Sequence, residues 1–290
     1  MKTAAVFFLF CCTAFSRDPL KDKIERIARQ AHGRVGVACS LPGSALDCNV
    51  NADAKLPMQS VYKLPIAMAV LHAAEQGKLT PDQKVRFLPS DLISPGQHSP
   101  LRDKYPKGGA DVSIRELLRL TVSESDGVAS DILLRTVGGA PAANGYIDSL
   151  GITGISIRDS EKTIGKDVQA QYRNYAEPAA LVQLLRLLAD HSPLSREHTA
   201  LLLRWMTDIQ TGQHRLKGLL PPGTPVAHKT GTSGEDHGIT HATNDIGLIT
   251  LPDGRKLAIA VLVADSPESE AVREGVIAEI AKAIWNEVSP

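Results

Sequence analysis

The sequence predicts an α/β protein of the α+β type, in which an antiparallel sheet carries the terminal helices and adjoins an all-helical part. Both ends of the chain combine helical spacing with strand-like alternation, whereas residues 58–203 show helical segments joined by polar loops. The last strands are consecutive and joined by a tight Asp253-Gly254 turn, which favours antiparallel pairing. We expect residues 17–57 and 204–290 to form the sheet part, residues 58–203 the helical part, and a site between them.

Residues 1–16 predict export. A charged start at Lys2 precedes an apolar run at residues 4–15, with small residues placed for cleavage before Arg17. The run is too short to span a bilayer, so we expect a cleaved signal peptide and a periplasmic or secreted protein. Lipoprotein cleavage before Cys11 is a minor alternative, which the bulky residue preceding that cysteine disfavours.

A helix at residues 19–31 and a hairpin at residues 34–52 follow. Apolar residues recur at helical spacing in the first segment, and a glycine ends it. The second segment alternates around a Gly-Ser turn, so Cys39 faces Cys48 across the two strands. The pair can form a disulfide in an exported protein or remain as buried thiols, and the sequence leaves both open.

The remaining elements are predicted from the same two patterns, helical spacing and strand-like alternation of apolar residues. A final amphipathic helix is expected after Ser266-Pro267, which resemble an N-terminal cap. Spacing predicts helices at residues 60–77, 113–120, 129–137 and 178–189, and strands at residues 224–232, 245–251 and 256–264.

Composition excludes several functional classes. The chain has 290 residues, 43% hydrophobic content and zero formal net charge, without a run of Lys or Arg. This content suffices for one large domain or two closely packed ones and excludes a disordered chain. Nothing in the charge pattern suggests binding to nucleic acid or to an anionic membrane, and a small uncharged or zwitterionic ligand stays open.

The stretch that points to chemistry is Ser60-Val61-Tyr62-Lys63, at the start of an apolar helix. In a helix, Lys63 lies one turn after Ser60 on the same face. A desolvated lysine, or one close to another cation, can take the serine proton and create a nucleophile. Ser-x-x-Lys alone is a weak signal, and an ordinary helix start with a capping serine is the alternative.

Two further motifs favour the catalytic interpretation. Ser125-Asp126-Gly127 follows a predicted helix, and Lys229-Thr230-Gly231-Thr232 ends a predicted strand. With Ser60-x-x-Lys63, and in this order, they resemble the serine β-lactamases and penicillin-binding proteins, specifically the class A β-lactamases. The resemblance covers essentially the whole mature chain. It also identifies residues 158–177 as an Ω-loop of a divergent, extended-spectrum branch, with Glu161 in the place of the general base.

The resemblance implies a five-stranded antiparallel sheet in a β-lactamase/transpeptidase-like fold, and hydrolysis of β-lactams through an acyl-serine. Ser60 attacks the lactam carbonyl, while Lys63 or Glu161, through a water, takes its proton. Ser125 passes a proton to the departing nitrogen, with its pKa and position tuned by Lys229. Glu161 then deprotonates the water that hydrolyses the acyl-enzyme.

The resemblance also implies which residues bind the substrate. The carboxylate of penicillins and cephalosporins is expected to meet Lys229, hydroxyl groups and an arginine, and the drug's side-chain amide to pair with the strand at residues 229–233. The backbone N–H groups of Ser60 and Thr232 are placed to stabilise the oxyanion. For His98, a plain surface position is the alternative. The expected binding residues are Gln59, His98, Gly127, Arg215, Thr230, Gly231, Thr232 and Ser233.

Three features depart from the family pattern. Gly127 stands where the family has an Asn that holds the substrate's acylamido oxygen, so binding is expected to be weaker or redirected. Gly165 stands where most members have an Asn that helps hold the deacylating water, so turnover is slower or another group holds this water. Asp159 and Asn174 replace an Arg–Asp pair that closes the Ω-loop, so the loop closes by a hydrogen bond or is looser.

Two other functions stay open at this stage. A D,D-peptidase shares the nucleophile and both lysines but lacks an efficient deacylating Glu, so Glu161 argues against it. A β-lactam sensor or binding module would acylate and stall, which the complete set of catalytic groups disfavours. Because His237 and His241 lack the Glu of a helical zinc motif, we expect no metal. We also expect no cofactor, and a monomer that binds a β-lactam.

Overall fold

The structure of the protein, a computed structural model, describes residues 19–289; the expected signal peptide lies outside this range. The helices are α1 (Pro19–Ala28), α2 (Lys63–Glu75), α3 (Pro100–Lys104), α4 (Ile114–Ser123), α5 (Gly127–Val137), α6 (Gly139–Ser149), α7 (Glu161–Ile164), α8 (Pro178–Asp190), α9 (Arg196–Thr207) and α10 (Glu270–Val288). The strands are β1 (Arg34–Ser40), β2 (Leu56–Pro57), β3 (Lys84–Arg86), β4 (Asp111–Ser113), β5 (Ile155–Ser156), β6 (Tyr175–Ala176), β7 (Val226–Thr232), β8 (Glu235–Asp236), β9 (Ile239–Thr240), β10 (Thr243–Thr250) and β11 (Lys256–Ala264).

An antiparallel sheet in the order β1-β11-β10-β7 forms the centre of the protein. Its middle hairpin joins β10 and β11 through the predicted Asp253-Gly254 turn, where Gly254 has a φ of +85°. Strand β7 pairs with the other side of β10, with Thr232 opposite Thr243. The strand that carries the Lys-Thr-Gly motif is therefore the last strand on that side of the sheet.

This sheet has four strands among the described residues, where the resemblance implies five. The expected partner of β1 after the Gly-Ser turn is reduced to one antiparallel bridge, between Val37 and Val50, in the predicted register. A local bond competes with the ladder there, because Oδ1 of Asp47 accepts a hydrogen bond from the backbone N–H of Asn49 at 3.1 Å.

The sheet separates two apolar cores. Along β11, Val261 and Val263 belong to the core that contains α1 and α10, whereas Ala260 and Leu262 belong to the core of the helical part. Helix α2 is buried from its first residue through its first turns, as expected of a helix with protein on every side. Residues 59–62, a 3₁₀ turn that leads into α2, contact β7. The start of α2 therefore lies where the two parts of the protein meet.

The helical part also contains short strands. Strand β3 pairs with β4, and β6 pairs with both β2 and β5. The boundary expected at residue 203 falls within α9, whose Leu202, Trp205 and Met206 belong to the core of the helical part. We therefore propose that the boundary between the two parts lies after α9.

The N-terminal cap of helix α10 lies three residues later than predicted. Oγ of Ser269 accepts a hydrogen bond from the backbone N–H of Val272 at 3.4 Å. The predicted cap, Ser266, instead accepts one from the N–H of Glu268 at 3.2 Å and donates to the carbonyl of Ala31. Within residues 19–289, neither α10 nor any other helix combines the length and apolarity needed to cross a membrane.

Cys39 and Cys48 form a disulfide, one of the two arrangements that the sequence leaves open. Both residues are buried in the core that contains α1 and α10. The bond ties residues 41–49 to β1 at the side of the sheet where pairing is reduced to the Val37–Val50 bridge. The disulfide therefore strengthens the attachment of residues 41–49 to β1, where few hydrogen bonds join the two segments.

Replacing Cys39 and Cys48 together by alanine is expected to lower the free energy of unfolding by roughly 2–3 kcal/mol, because the disulfide restricts the unfolded chain. Urea unfolding of both proteins, with and without reductant, measures this difference. Reductant should destabilise the unchanged protein and leave the variant unaffected. Equal stability of the unchanged protein and the variant in the absence of reductant would contradict a stabilising role of the disulfide.

Candidate active site

A cavity of about 860 Å³ lies between β7 and the helical part. Residues from several distant segments meet in it, and four of the predicted residues are buried beside it without lining it. The predicted residues that line the cavity are Gln59, Ser60, Lys63, His98, Ser125, Glu161, Thr230, Thr232 and Ser233. Those buried beside it are Gly127, Arg215, Lys229 and Gly231.

Ser60 lines the cavity from the 3₁₀ turn that leads into α2, and Lys63 is the buried first residue of that helix. The turn is held from two sides. The backbone N–H of Met58 donates to the carbonyl of Asn174 at 2.9 Å, and Nδ2 of Asn244 donates to the carbonyl of Met58 at 3.1 Å. The candidate nucleophile is therefore carried by a firmly supported turn.

The ammonium of Lys63 has two acceptors. Its Nζ donates to the backbone carbonyl of Ser125 at 2.7 Å and lies 2.9 Å from Oε1 of Glu161. The two paired side chains are only 2% and 9% exposed, so water screens their attraction weakly. The ion pair therefore links the start of α2 to the start of α7.

Glu161 is the first residue of α7, and α5 sets its position. The carboxylate of Asp131 accepts hydrogen bonds from the backbone N–H groups of Glu161 at 2.8 Å and Lys162 at 2.9 Å. Burial alone would raise the pKa of Glu161, but the charge and hydrogen bond of Lys63 lower it below its ordinary value of 4.5. Burial, and then the charge of Glu161, raises the pKa of Asp131 to about 7. Glu161 is therefore an ionised carboxylate at neutral pH.

Ser125 lines the cavity from the turn between α4 and α5. Its φ is +56°, which few non-glycine residues adopt, and the next residue, Asp126, caps α5 by accepting the N–H of Ala129 at 2.8 Å. Nζ of Lys229 donates to Oγ of Ser125 at 2.9 Å. Burial, and then the charge of Lys63, holds the pKa of Lys229 well below its ordinary value of 10.5. The Ser125 hydroxyl is therefore next to a group that loses its proton readily.

Arg215 reaches the cavity only through another side chain. Its guanidinium donates to Oγ1 of Thr232 at 2.8 Å and to the carbonyl of Asn244 at 3.0 Å, and it pairs with Glu274 of α10 at 2.9 Å. Because Thr232 accepts this bond, its own hydroxyl hydrogen can point to an acceptor elsewhere. Arg215 therefore orients Thr232 and adds positive charge beside β7.

Gly231 allows β7 to approach the turn that carries Ser60. A Cβ at position 231 would lie 2.2 Å from the carbonyl oxygen of Met58, which no side chain can tolerate without movement of the backbone. The adjacent Thr230 hydroxyl is 2.5 Å from the hydroxyl of Thr211, which also lines the cavity. The strand therefore presents fixed hydroxyl groups close to Ser60.

The structure shows the surroundings of three other predicted residues, Gly127, His98 and Gln59. A Cβ at Gly127 would lie 2.7 Å from Cδ1 of Ile93, so no side chain enters there unless Ile93 moves. His98 lines the cavity and is exposed, which combines the two predicted alternatives. Nε2 of Gln59 donates to Oε1 of Gln171 at 2.6 Å, which joins the Ser60 turn to the Ω-loop.

Asn174 closes the Ω-loop by hydrogen bonds, the first of the two predicted alternatives. Its Oδ1 accepts from the backbone N–H groups of Arg158 at 2.7 Å and Asp159 at 2.9 Å, and its Nδ2 donates to the carbonyl of Asp159 at 2.8 Å. The side chain is fully buried. An outer ion pair joins Arg173 to Asp159 at 2.7 Å. The two ends of the loop are therefore held mainly through its backbone.

Sequence reasoning missed several residues that position these groups, namely Asp131, Asn244, Gln97 and Gln171. Asp131 had a detectable signal, because a carboxylate amid the apolar residues of α5 requires a buried partner. The three amides had none. They are ordinary polar residues in the sequence, and their partners lie far away along the chain.

Comparison with known proteins gives consistent results. A family model described as "Beta-lactamase enzyme family" matches residues 19–288. The chain is 39% identical to β-lactamase VEB-1 of Pseudomonas aeruginosa over 97% of this chain and 94% of that protein. It is 42% identical to the extended-spectrum β-lactamase PER-1 of the same organism, over 92% and 86%. A crystal structure of a β-lactamase from Chitinophaga pinensis superposes with a TM-score of 0.90 at 41% identity, covering 94% and 100% of the two chains.

Replacing Asn174 by alanine is expected to loosen the Ω-loop, since it leaves two N–H groups and one carbonyl without their partner. Each buried group left unpaired costs about 1–3 kcal/mol. Hydrogen exchange should rise at the amides of Arg158 and Asp159, and the melting temperature should fall. The control is Arg173→Ala, which removes the ion pairs of the half-exposed Arg173 with Asp159 and Asp167 and is expected to change both measurements little. Equal effects of the two substitutions would contradict closure through Asn174.

Proposed function

The chain belongs to the class A β-lactamases, which hydrolyse the amide bond of β-lactam antibiotics, and we propose that Ser60 is its nucleophile. One observation carries the assignment. In the cavity that Ser60 and Lys63 both line, the buried Lys63 ammonium lies between the Ser125 carbonyl at 2.7 Å and the Glu161 carboxylate at 2.9 Å. This arrangement holds a proton acceptor, Glu161, and the backbone of Ser125, the proposed proton donor, at one lysine three residues after the nucleophile.

Acylation begins when Ser60 loses its proton. A charged ammonium has no lone pair, so Lys63 must first give a proton to Glu161 before it can act as a base. The Glu161 carboxylate can instead accept the serine proton through a water. Both routes end with the proton on Glu161, whose pKa is lowered but whose carboxylate is the strongest acceptor beside Lys63.

The lactam carbonyl oxygen becomes an oxyanion as Ser60 attacks. We assign its stabilisation to the backbone N–H groups of Ser60 and Thr232, which the close approach at Gly231 supports. The departing nitrogen then needs a proton, and we assign its donor as Ser125. Lys229 at 2.9 Å from Ser125 Oγ stabilises the alkoxide that forms and can replace its proton.

The carboxylate of the substrate binds at β7. Lys229 contributes charge, and Thr230 and Thr232 contribute hydroxyl donors. Arg215 acts through Thr232, because it fills the acceptor side of that hydroxyl at 2.8 Å. Gln59, His98 and Ser233 line other parts of the cavity and contact the remainder of the drug.

We propose an extended substrate spectrum. The relative PER-1 is described as an extended-spectrum β-lactamase, and so is TLA-1, whose structure superposes with a TM-score of 0.89 at 45% identity, covering 93% of this chain and 98% of that one. The cavity volume of about 860 Å³ supports this. We also propose that the enzyme is a monomer. Its proposed location, in the periplasm or outside the cell, is based on the sequence pattern of residues 1–16.

Stopped-flow hydrolysis of a chromogenic cephalosporin, with mass spectrometry of the same mixture, tests the function. Sustained turnover with little covalent adduct is the expected result. A burst of one equivalent followed by a stable adduct on Ser60 would instead support a penicillin-binding protein or a sensor.

Glu161→Gln is expected to slow deacylation by about 10²- to 10⁴-fold, because the amide cannot deprotonate the hydrolytic water. Acylation should continue at least in part, so the acyl-enzyme should accumulate and be visible by mass spectrometry. Glu287→Gln, at an exposed position of α10, is the matched control and should turn over normally. Undiminished steady-state hydrolysis by Glu161→Gln would remove Glu161 from its assigned role.

The pH dependence of hydrolysis should reflect the ionisation of Lys229. Its lowered pKa means that the ammonium is lost as pH rises, well before 10.5, so KM for carboxylate-bearing substrates should increase on this basic limb. In Lys229→Arg the limb should move to higher pH, because the guanidinium stays charged throughout the range. Measurement of kcat/KM from pH 6 to 10 tests this, and an unchanged limb in the variant would assign it to another group.

A further inference from the structure

We propose that Gln97 is a positioning residue for deacylation, which holds the carboxylate of Glu161 at the oxygen that does not face Lys63. This inference rests on the proposed role of Glu161 as the base. Gln97 lies in a loop, residues 94–98, in which the family resemblance identifies only His98. The inference follows from the contacts of Gln97, the space at Gly165 and the anchoring of this loop.

The carboxamide of Gln97 is aimed at Glu161. Its Nε2 donates to the backbone carbonyl of Glu161 at 2.6 Å and lies 3.4 Å from Oε2 of the same residue. Its Oε1 accepts the backbone N–H of Ser94 at 3.1 Å. Since each end of the amide has a partner of the right kind, the orientation of the group is determined.

Gln97 occupies the space that a side chain at position 165 would need. A Cβ at Gly165 would lie 2.1 Å from Oε1 and 2.4 Å from Cδ of Gln97. The backbone does not require glycine here, because the φ of −70° and ψ of −10° suit any residue. Glycine at position 165 is therefore explained by the side-chain amide of Gln97, which enters this space from residues 94–98. We expect substitutions at the two positions to affect the same contact.

The loop that carries Gln97 is itself anchored. Nη1 of Arg102 donates to the carbonyls of Ser94 and Gln97, both at 2.8 Å. Oγ of Ser94 contacts the carbonyl of Gly165 at 3.4 Å. These contacts join the loop to α3 and to the end of α7, so the amide of Gln97 is held in place.

The two oxygens of Glu161 have different partners. Oε1 faces Lys63 at 2.9 Å, and Oε2 faces the Gln97 amide at 3.4 Å. Together they fix the plane of the carboxylate, and Oε2, which does not pair with Lys63, is the oxygen left to accept a proton from the hydrolytic water. The amide gains and loses no proton, so its contribution is orientation of the base.

Three variants test the pairing. Gln97→Ala removes the amide, and Gly165→Ala displaces it with a single methyl group. Each should slow deacylation by about 10- to 100-fold, since misplacement of a catalytic group costs this much, with acylation changed far less. In Gln97→Ala/Gly165→Ala the second change should add nothing to the first. Single-turnover rates of adduct formation and loss measure both steps, and Gln30→Ala, a remote exposed position, is the control.

Gln97→Glu provides a test that does not depend on removing the side chain. A second carboxylate beside Glu161 should raise its pKa and move the acid limb of deacylation to higher pH. The groups that already face Glu161 are Lys63, Lys229, Asp131 and Tyr62, and this variant changes none of them. A purely structural role of Gln97 would lower activity without moving this limb.

Equal slowing of acylation and deacylation, additive effects in the double variant, or an unmoved acid limb would each overturn the inference. Its failure differs from failure of the proposed function. If the unchanged enzyme does not turn over, or if Glu161→Gln accumulates no adduct, the proposed function fails. If both behave as expected while Gln97→Ala deacylates normally, only the role of Gln97 is refuted.

Discussion

The buried ion pair between Lys63 and Glu161 is the constraint on which the rest of the site depends. Two charges withdrawn from water are costly unless their geometry is good and their remaining hydrogen-bonding capacity is used. The structure meets this requirement, because Lys63 also reaches the Ser125 carbonyl and Asp131 holds the backbone at Glu161. The supporting contacts are therefore as necessary as the pair itself.

These contacts explain why several helices and one strand meet at a single point. Lys63 comes from α2, Asp131 from α5 and Glu161 from α7, while Lys229 approaches from β7. The strand can come this close only because Gly231 has no side chain against the turn at Met58. The site is thus assembled at the junction of the two parts of the fold. Each of these elements contributes one side chain, which the packing of that element holds in place.

The Ω-loop shows how the chain solves a common problem with different residues. Its ends are tied by the buried Asn174, through backbone hydrogen bonds, and its inner surface is joined to the Ser60 turn by the Gln59–Gln171 bond. Gly165 leaves room for Gln97 to enter from another loop. Neutral amides thus take positions around a site that already contains several charges, where they hold geometry without adding to the electrostatic cost.

The sequence by itself determined the α+β class, the period-two strands, the Asp253-Gly254 hairpin and the reactive motifs, because each depends on residues close together along the chain. It also indicated the register that allowed a Cys39–Cys48 disulfide. Only the tertiary structure decided that the sheet has four strands among residues 19–289, that Arg215 hydrogen-bonds to Thr232, and that Gln97 fills the space at Gly165. These features depend on contacts between residues distant in sequence, and local periodicity contains no information about which distant side chains will share one space.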